Sequence, residues 1–152
     1  MRIRDRQIMY WEDVQTGTEI PPLKKYPTKD LLLSYANSTG DLYRIHYDEE
    51  YAKSIGLPGV IVQGGLKNAF LAQLITDWIQ QSGRLIKLTC QHRGMDFPDS
   101  TIICKGFVSR HYKENGLFLI DCTIWIENDE GYKSTPGAAV VALDARVDSF
   151  QT

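Results

Sequence analysis

Asp41 and His46 stand on one short run, Ser38-Thr39-Gly40-Asp41-Leu42-Tyr43-Arg44-Ile45-His46. A carboxylate and an imidazole at this spacing can hold a water between them, one accepting a proton and the other able to donate one. Further along, Pro58-Gly59-Val60-Ile61-Val62-Gln63-Gly64-Gly65 leads into a long apolar stretch. A helix opened by glycines offers unpaired backbone N–H groups to a developing oxyanion. Base, acid and oxyanion stabiliser therefore fall close together in the chain.

The flanking elements must hold these groups in place. Thr18 to Tyr26 reads as a short extended segment that stops at Pro27. Thr28 is a candidate N-cap for a helix with Leu31, Leu32, Tyr35 and Ala36 as its apolar face, ending near Gly40. Asp48 to Ser54 suggests a short second helix, stopped by Gly56 and Pro58. A third, from about Gly65 to Gln81, carries apolar residues over more than half its surface, which predicts a helix buried on most sides. Beyond Gly83 the pattern changes. Leu85–Cys90, Thr101–Tyr112, Leu117–Glu127 and Tyr132–Ala145 are rich in β-branched and aromatic residues, and turn-forming residues separate them. Short glycine-containing turns imply antiparallel hairpins. Helices followed by a run of antiparallel strands describe an α+β fold, a sheet curled around one long helix, in a single domain over residues 1–152.

Composition narrows the function classes. The chain has 152 residues, 43% hydrophobic and 24% charged, with a net charge of −2. That balance gives no basic face for nucleic acid, and Arg2, Arg4 and Arg6 read as a solvated N-terminus. No segment reaches the length of a membrane span, and the N-terminus lacks the apolar core of a signal peptide, so a cytoplasmic protein is expected. Cys90, Cys104 and Cys122 fall in expected strands at wide spacing, which suits small buried hydrophobes rather than disulfides, zinc ligands or nucleophiles. His92 and His111 form no cluster at metal-ligand spacing, so no metal is expected. Lys67 reads as a solvated or interface residue, and Trp11, Trp78 and Trp125 as core or interface anchors.

The run from Tyr35 to Leu66 resembles the signature of the MaoC-like dehydratases, the (R)-specific enoyl-CoA hydratase group of hot-dog-fold proteins. In that signature Gly-Asp-x-Asn-Pro-x-His is followed by Asp, Ala and Gly, then by a Pro-Gly step into His-Gly at the central helix. Gly40, Asp41, His46, Asp48, Ala52, Gly56, Pro58, Gly59 and Gly64 occupy the matching places. Pro98-Asp99-Ser100-Thr101-Ile102 looks like an altered form of the family's Pro-Gly-Asp turn. The resemblance implies a hot-dog fold and hydration of a trans-2-enoyl thioester, or dehydration of a 3-hydroxyacyl thioester. It implies Asp41 and His46 as the catalytic pair, with Asp41 as base, and the backbone N–H of Gly64 polarising the thioester carbonyl. Coenzyme A or an acyl carrier would belong to the substrate, with no further cofactor. A homodimer, or a heterodimer with a second hot-dog chain, is implied as well.

Three positions depart from the pattern: the motif's Asn is Tyr43, its Pro is Arg44, and the His before the helix glycine is Gln63. With Gly65, these are the candidate substrate-binding residues. Tyr43 either takes over the contact of the Asn or points away from the site. Arg44 either depresses the pKa of Asp41, or recognises a substrate carboxylate, or faces solvent or a partner. Gln63 keeps hydrogen-bonding capacity without the imidazole. Two rival readings follow. One is a non-catalytic hot-dog subunit that binds thioesters or completes a partner's site. The other is a thioesterase, whose carboxylate on the central helix would have to be Asp77.

Overall fold

The computed structural model describes residues 8–146; Arg2, Arg4 and Arg6 lie outside them. In chain order the elements are a 3-10 turn (Trp11–Asp13), β1 (Glu19–Lys25), α1 (Lys29–Thr39), a second 3-10 turn (Arg44–His46) and α2 (Glu49–Ser54). After them come α3 (Gly64–Ile79), β2 (Gly83–Cys90), β3 (Ile102–Glu114), β4 (Leu117–Asn128) and β5 (Lys133–Leu143).

Local chemistry sets the ends of the first two helices. The Thr28 hydroxyl accepts from the N–H of Leu31 at 3.1 Å and caps α1. Gly40 closes α1 in the left-handed region, with φ 73°. Asp48 caps α2 by accepting from the N–H of Tyr51 at 3.0 Å. The seven residues from Asp41 to Tyr47 are thus pinned between a helix stop and a helix start.

The five strands form one antiparallel sheet in the order β1-β3-β4-β5-β2. Asn115 and Gly116, both at positive φ, make the tight turn that pairs Glu114 with Leu117 and fixes the long β3–β4 hairpin. Alternation along β4 sends Ile120, Cys122, Ile124 and Ile126 to the buried face. That face curls around α3, which contacts all five strands. Leu71, Leu74, Ile75 and Ile79 are almost wholly buried there, each contributing roughly 1.5–3 kcal/mol of hydrophobic stabilisation.

Three expectations need correcting. α3 is one-sided rather than buried on most sides: Asn68, Ala69, Thr76 and Asp77 are exposed, because the sheet reaches only one flank of the helix. The helix also stops at Ile79, short of Gln81, where Gln80 reverses the chain at φ 48°. β2 then begins at Gly83, where a Cβ would lie 2.1 Å from the carbonyl oxygen of Ala142; glycine is what lets the strand close on β5 this early. Lys67 is not solvated. It is buried, for a reason that belongs to the site below.

Candidate active site

His46 sits in the 3-10 turn between α1 and α2 and is buried. Its Nδ1 lies 2.8 Å from the carbonyl oxygen of Ile61, and the N–H of Ile61 in turn donates to the carbonyl of Ile45 at 3.0 Å. These two bonds tie the loop to the segment that enters α3. A carbonyl can only accept, so Nδ1 carries the hydrogen and Nε2 of the neutral ring is an acceptor. That Nε2 faces Asp41, with 3.9 Å between it and Oδ2. Two acceptors at this separation suit a water donating to both through bonds of about 2.8 Å. The Asp41 side chain is 43% exposed, so a ligand can reach the pair.

Tyr43 is exposed and stands edge-on to the His46 ring, with 6.1 Å between centroids. Arg44 turns the other way. Its Nε and Nη2 donate to Asp48 Oδ2 at 3.1 and 2.6 Å, and its guanidinium lies 4.4 Å from the Tyr51 ring centroid. The Arg44 charge is therefore matched by Asp48, not Asp41. Asp48 is held below the usual carboxylate range, first by the N–H of Tyr51 and then by Arg44. The Arg44 side chain is 57% exposed, in keeping with the solvent-facing alternative, and it braces the turn against α2.

Gln63 is fully buried. Its Nε2 donates to the carbonyl of Leu32 at 2.7 Å, tying α1 to the start of α3, and its Oε1 has no hydrogen-bond partner among the described residues. Gly64 and Gly65 open α3, and the Gln63 side chain caps none of the helix-start N–H groups. Both glycines are closely approached. A Cβ on Gly64 would lie 2.9 Å from Nε2 of His92, and one on Gly65 would lie 2.3 Å from the Tyr35 hydroxyl.

Below this opening lies a buried polar cluster. Lys67 Nζ donates to Asp96 Oδ2 at 2.9 Å and to the carbonyl of Gly94 at 3.0 Å. The Ser134 hydroxyl donates to the same carboxylate oxygen, while the N–H of Val62 donates to the carbonyl of Asp96 at 2.8 Å. The segment 94–96 is thereby fastened to α3, β5 and the approach to α3 at once.

Tyr35, His92 and Asp96 are the residues near this site that spacing did not bring forward. Tyr35 reads from the sequence as part of an apolar face, and His92 and Asp96 lie far from His46 along the chain. The signal for the first two is the Gly64-Gly65 pair, since adjacent glycines at a helix start mark close approach by other groups. His111 is structural: it stacks on Trp11 at 3.7 Å, and its Nε2 lies 2.9 Å from the Trp11 carbonyl oxygen.

Comparison with known proteins bears on the family and the fold. The family model described as MaoC-like domain matches residues 13–115. A stretch of 70 residues, 45% of this chain, is 34% identical to fatty acid synthase subunit beta of Saccharomyces cerevisiae, and the match spans only 3% of that much longer protein. The (R)-hydratase from A. caviae involved in PHA biosynthesis superposes with a TM-score of 0.79 at 17% identity, covering 87% of this chain and 98% of that one. A chain of the ChsH1-ChsH2 complex from Mycobacterium tuberculosis gives a TM-score of 0.75 at 19% identity, covering 85% and 98%. At these identities the superpositions establish the hot-dog fold.

Proposed function

This chain belongs to the MaoC-like dehydratase family, and from that premise we propose that it is an acyl-thioester hydratase or dehydratase, adding water reversibly to a trans-2-enoyl thioester. The observation that carries the reading is the geometry of the Asp41–His46 pair. With Nδ1 committed to Ile61, Nε2 and Asp41 Oδ2 present two acceptors to one water at 3.9 Å separation. Both hydrogens of the water are then engaged, and its oxygen lone pair is aimed outward at the β-carbon. In the forward direction an O–H bond of the water breaks and a C–O bond forms at the β-carbon. The Asp41–His46 pair takes the released proton and returns it to the α-carbon on the same face. A positive imidazolium beside a carboxylate balances the charge in between. Meanwhile the thioester oxygen gains enolate character and accepts from the N–H of Gly64 at the positive end of α3.

The steps are proton transfers and oxyanion stabilisation, so the reading requires no metal or redox cofactor. Coenzyme A or an acyl carrier enters as part of the substrate. A thioesterase acting through Asp77 is disfavoured: at about 1.5 Å per residue that carboxylate stands roughly 20 Å along α3 from Gly64. As a partner we propose a second hot-dog chain, the same or different. Among the described residues β1 and β2 leave unpaired sheet edges on which it can add.

The test is incubation of the purified chain with crotonyl-CoA and a longer enoyl-CoA. Loss of the conjugated absorbance without thiol release is expected, and Asp41→Asn should slow it by the loss of a general base, about 100-fold or more. Thiol release would point to a thioesterase. No reaction, alone or mixed with a partner hot-dog chain, would leave the non-catalytic subunit as the surviving reading.

A further inference from the structure

We propose that His92 is a third catalytic side chain of this site, its imidazole N–H donating to the thioester carbonyl oxygen beside the backbone N–H of Gly64. The proposal rests on the hydratase reading and adds a residue from an element far along the chain. Strand pairing sets its direction. Past Cys90 the chain continues to pair with β5, Gln91 donating to the carbonyl of Pro136 and Arg93 to that of Ser134, each at 2.9 Å. Side chains alternate along such a segment. Cys90, two residues before, turns toward α3 and meets Asn68 Oδ1 at 2.8 Å. His92 falls on that same side, and its Nε2, Cδ2 and Cε1 crowd the space in front of Gly64.

Three properties make it a ligand-facing group rather than a packing one. His46 and His111 each hold a backbone carbonyl, whereas His92 has no hydrogen-bond partner among the described residues. It is exposed, so an incoming thioester can reach the ring. Partial burial, then the nearby Lys67 charge, lower its pKa against an opposing effect of Asp96. A neutral imidazole retains one N–H, and a donor that carries no charge leaves the acid–base pair undisturbed. The anchorage is firm as well, because the Lys67–Asp96 ion pair fastens the chain just beyond His92. Immediately before Gly64, the buried Oε1 of Gln63 has no partner, so the helix start holds further polar capacity that the described residues leave unused.

Kinetics and ligand titration test the idea together. His92→Ala should lower kcat for crotonyl-CoA about 100-fold, the usual loss for an oxyanion donor, with KM nearly unchanged and thermal stability intact. His92→Gln, which keeps an N–H donor, should recover part of the loss. A wild-type rate in His92→Ala overturns the proposal and leaves the hydratase reading standing. Independently, butyryl-CoA should shift the His92 ring resonances in the wild-type protein and leave those of His111 in place. An unmoved His92 signal at saturation overturns the proposal too. A shift in a chain that hydrates no enoyl-CoA would uphold the contact with the thioester and sink the hydratase reading instead.

Discussion

Lys67 and Asp96, 29 positions apart in the chain, meet at 2.9 Å with side chains only 3% and 2% exposed. The pair sits directly beneath the opening of α3 and joins the helix to the segment that follows β2. A buried ion pair of this kind brings little net stability, but breaking it strands a charge in low dielectric.

Lys67→Met should therefore destabilise the protein by about 3–5 kcal/mol in urea unfolding. Adding Asp96→Leu to it should restore much of the loss, because neither charge is then left alone. Additive effects of the two substitutions would contradict the assignment.

The glycine pair at the helix start makes a steric prediction. Gly65→Ala places a methyl 2.3 Å from the Tyr35 hydroxyl, an overpacking cost of about 1–3 kcal/mol. Tyr35→Phe removes that oxygen, so the double variant should lie closer to the wild type than Gly65→Ala alone. A double-mutant cycle on thermal unfolding measures the coupling.

Asp41 and His46 should separate activity from stability. Asp41 is half exposed and among the described residues has no ion pair beyond the long approach to His46, so Asp41→Asn should reduce hydration about 100- to 10,000-fold at unchanged melting temperature. His46 also ties its loop to Ile61. His46→Ala should lose both hydration and about 1 kcal/mol of stability, read by enzyme assay and urea titration.

Acid should loosen the brace around the turn that carries His46. The folded pKa of Asp48 is depressed by the Tyr51 N–H and by Arg44, so the unfolded chain binds protons first as pH falls. The contribution of Asp48 is full above the unfolded carboxylate pKa of about 4 and is lost as pH drops through the lower folded value. Asp48→Asn should flatten that limb of a melting-temperature profile from pH 6 to 2. It should not remove the limb, because Glu49 and Glu127 are depressed as well.

Gln80 carries φ 48° and ψ −116°, a region that glycine enters without a Cβ penalty. Gln80→Gly should raise stability by about 1 kcal/mol, visible as a higher urea midpoint.

Local chemistry made much of this protein legible from its residues. Thr28, Gly40 and Asp48 mark helix ends because capping depends on a few adjacent atoms. Asn115-Gly116 marks its hairpin because so few residues tolerate two successive positive φ values. The spacing of Asp41 and His46 survives translation into geometry because one short loop carries both. Tertiary packing decided the rest. Whether Lys67 met water or Asp96 depended on which flank of α3 the sheet would cover, and helical periodicity holds no record of that. Counting alanines as apolar likewise overstated the buried surface of α3. Arg44 found Asp48 one helical turn away and left Asp41 alone, a choice between two nearby carboxylates that only the course of the loop could make. The approach of His92 to Gly64 required β2 to run back along α3 and pair with β5, a contact between distant segments that no spacing encodes.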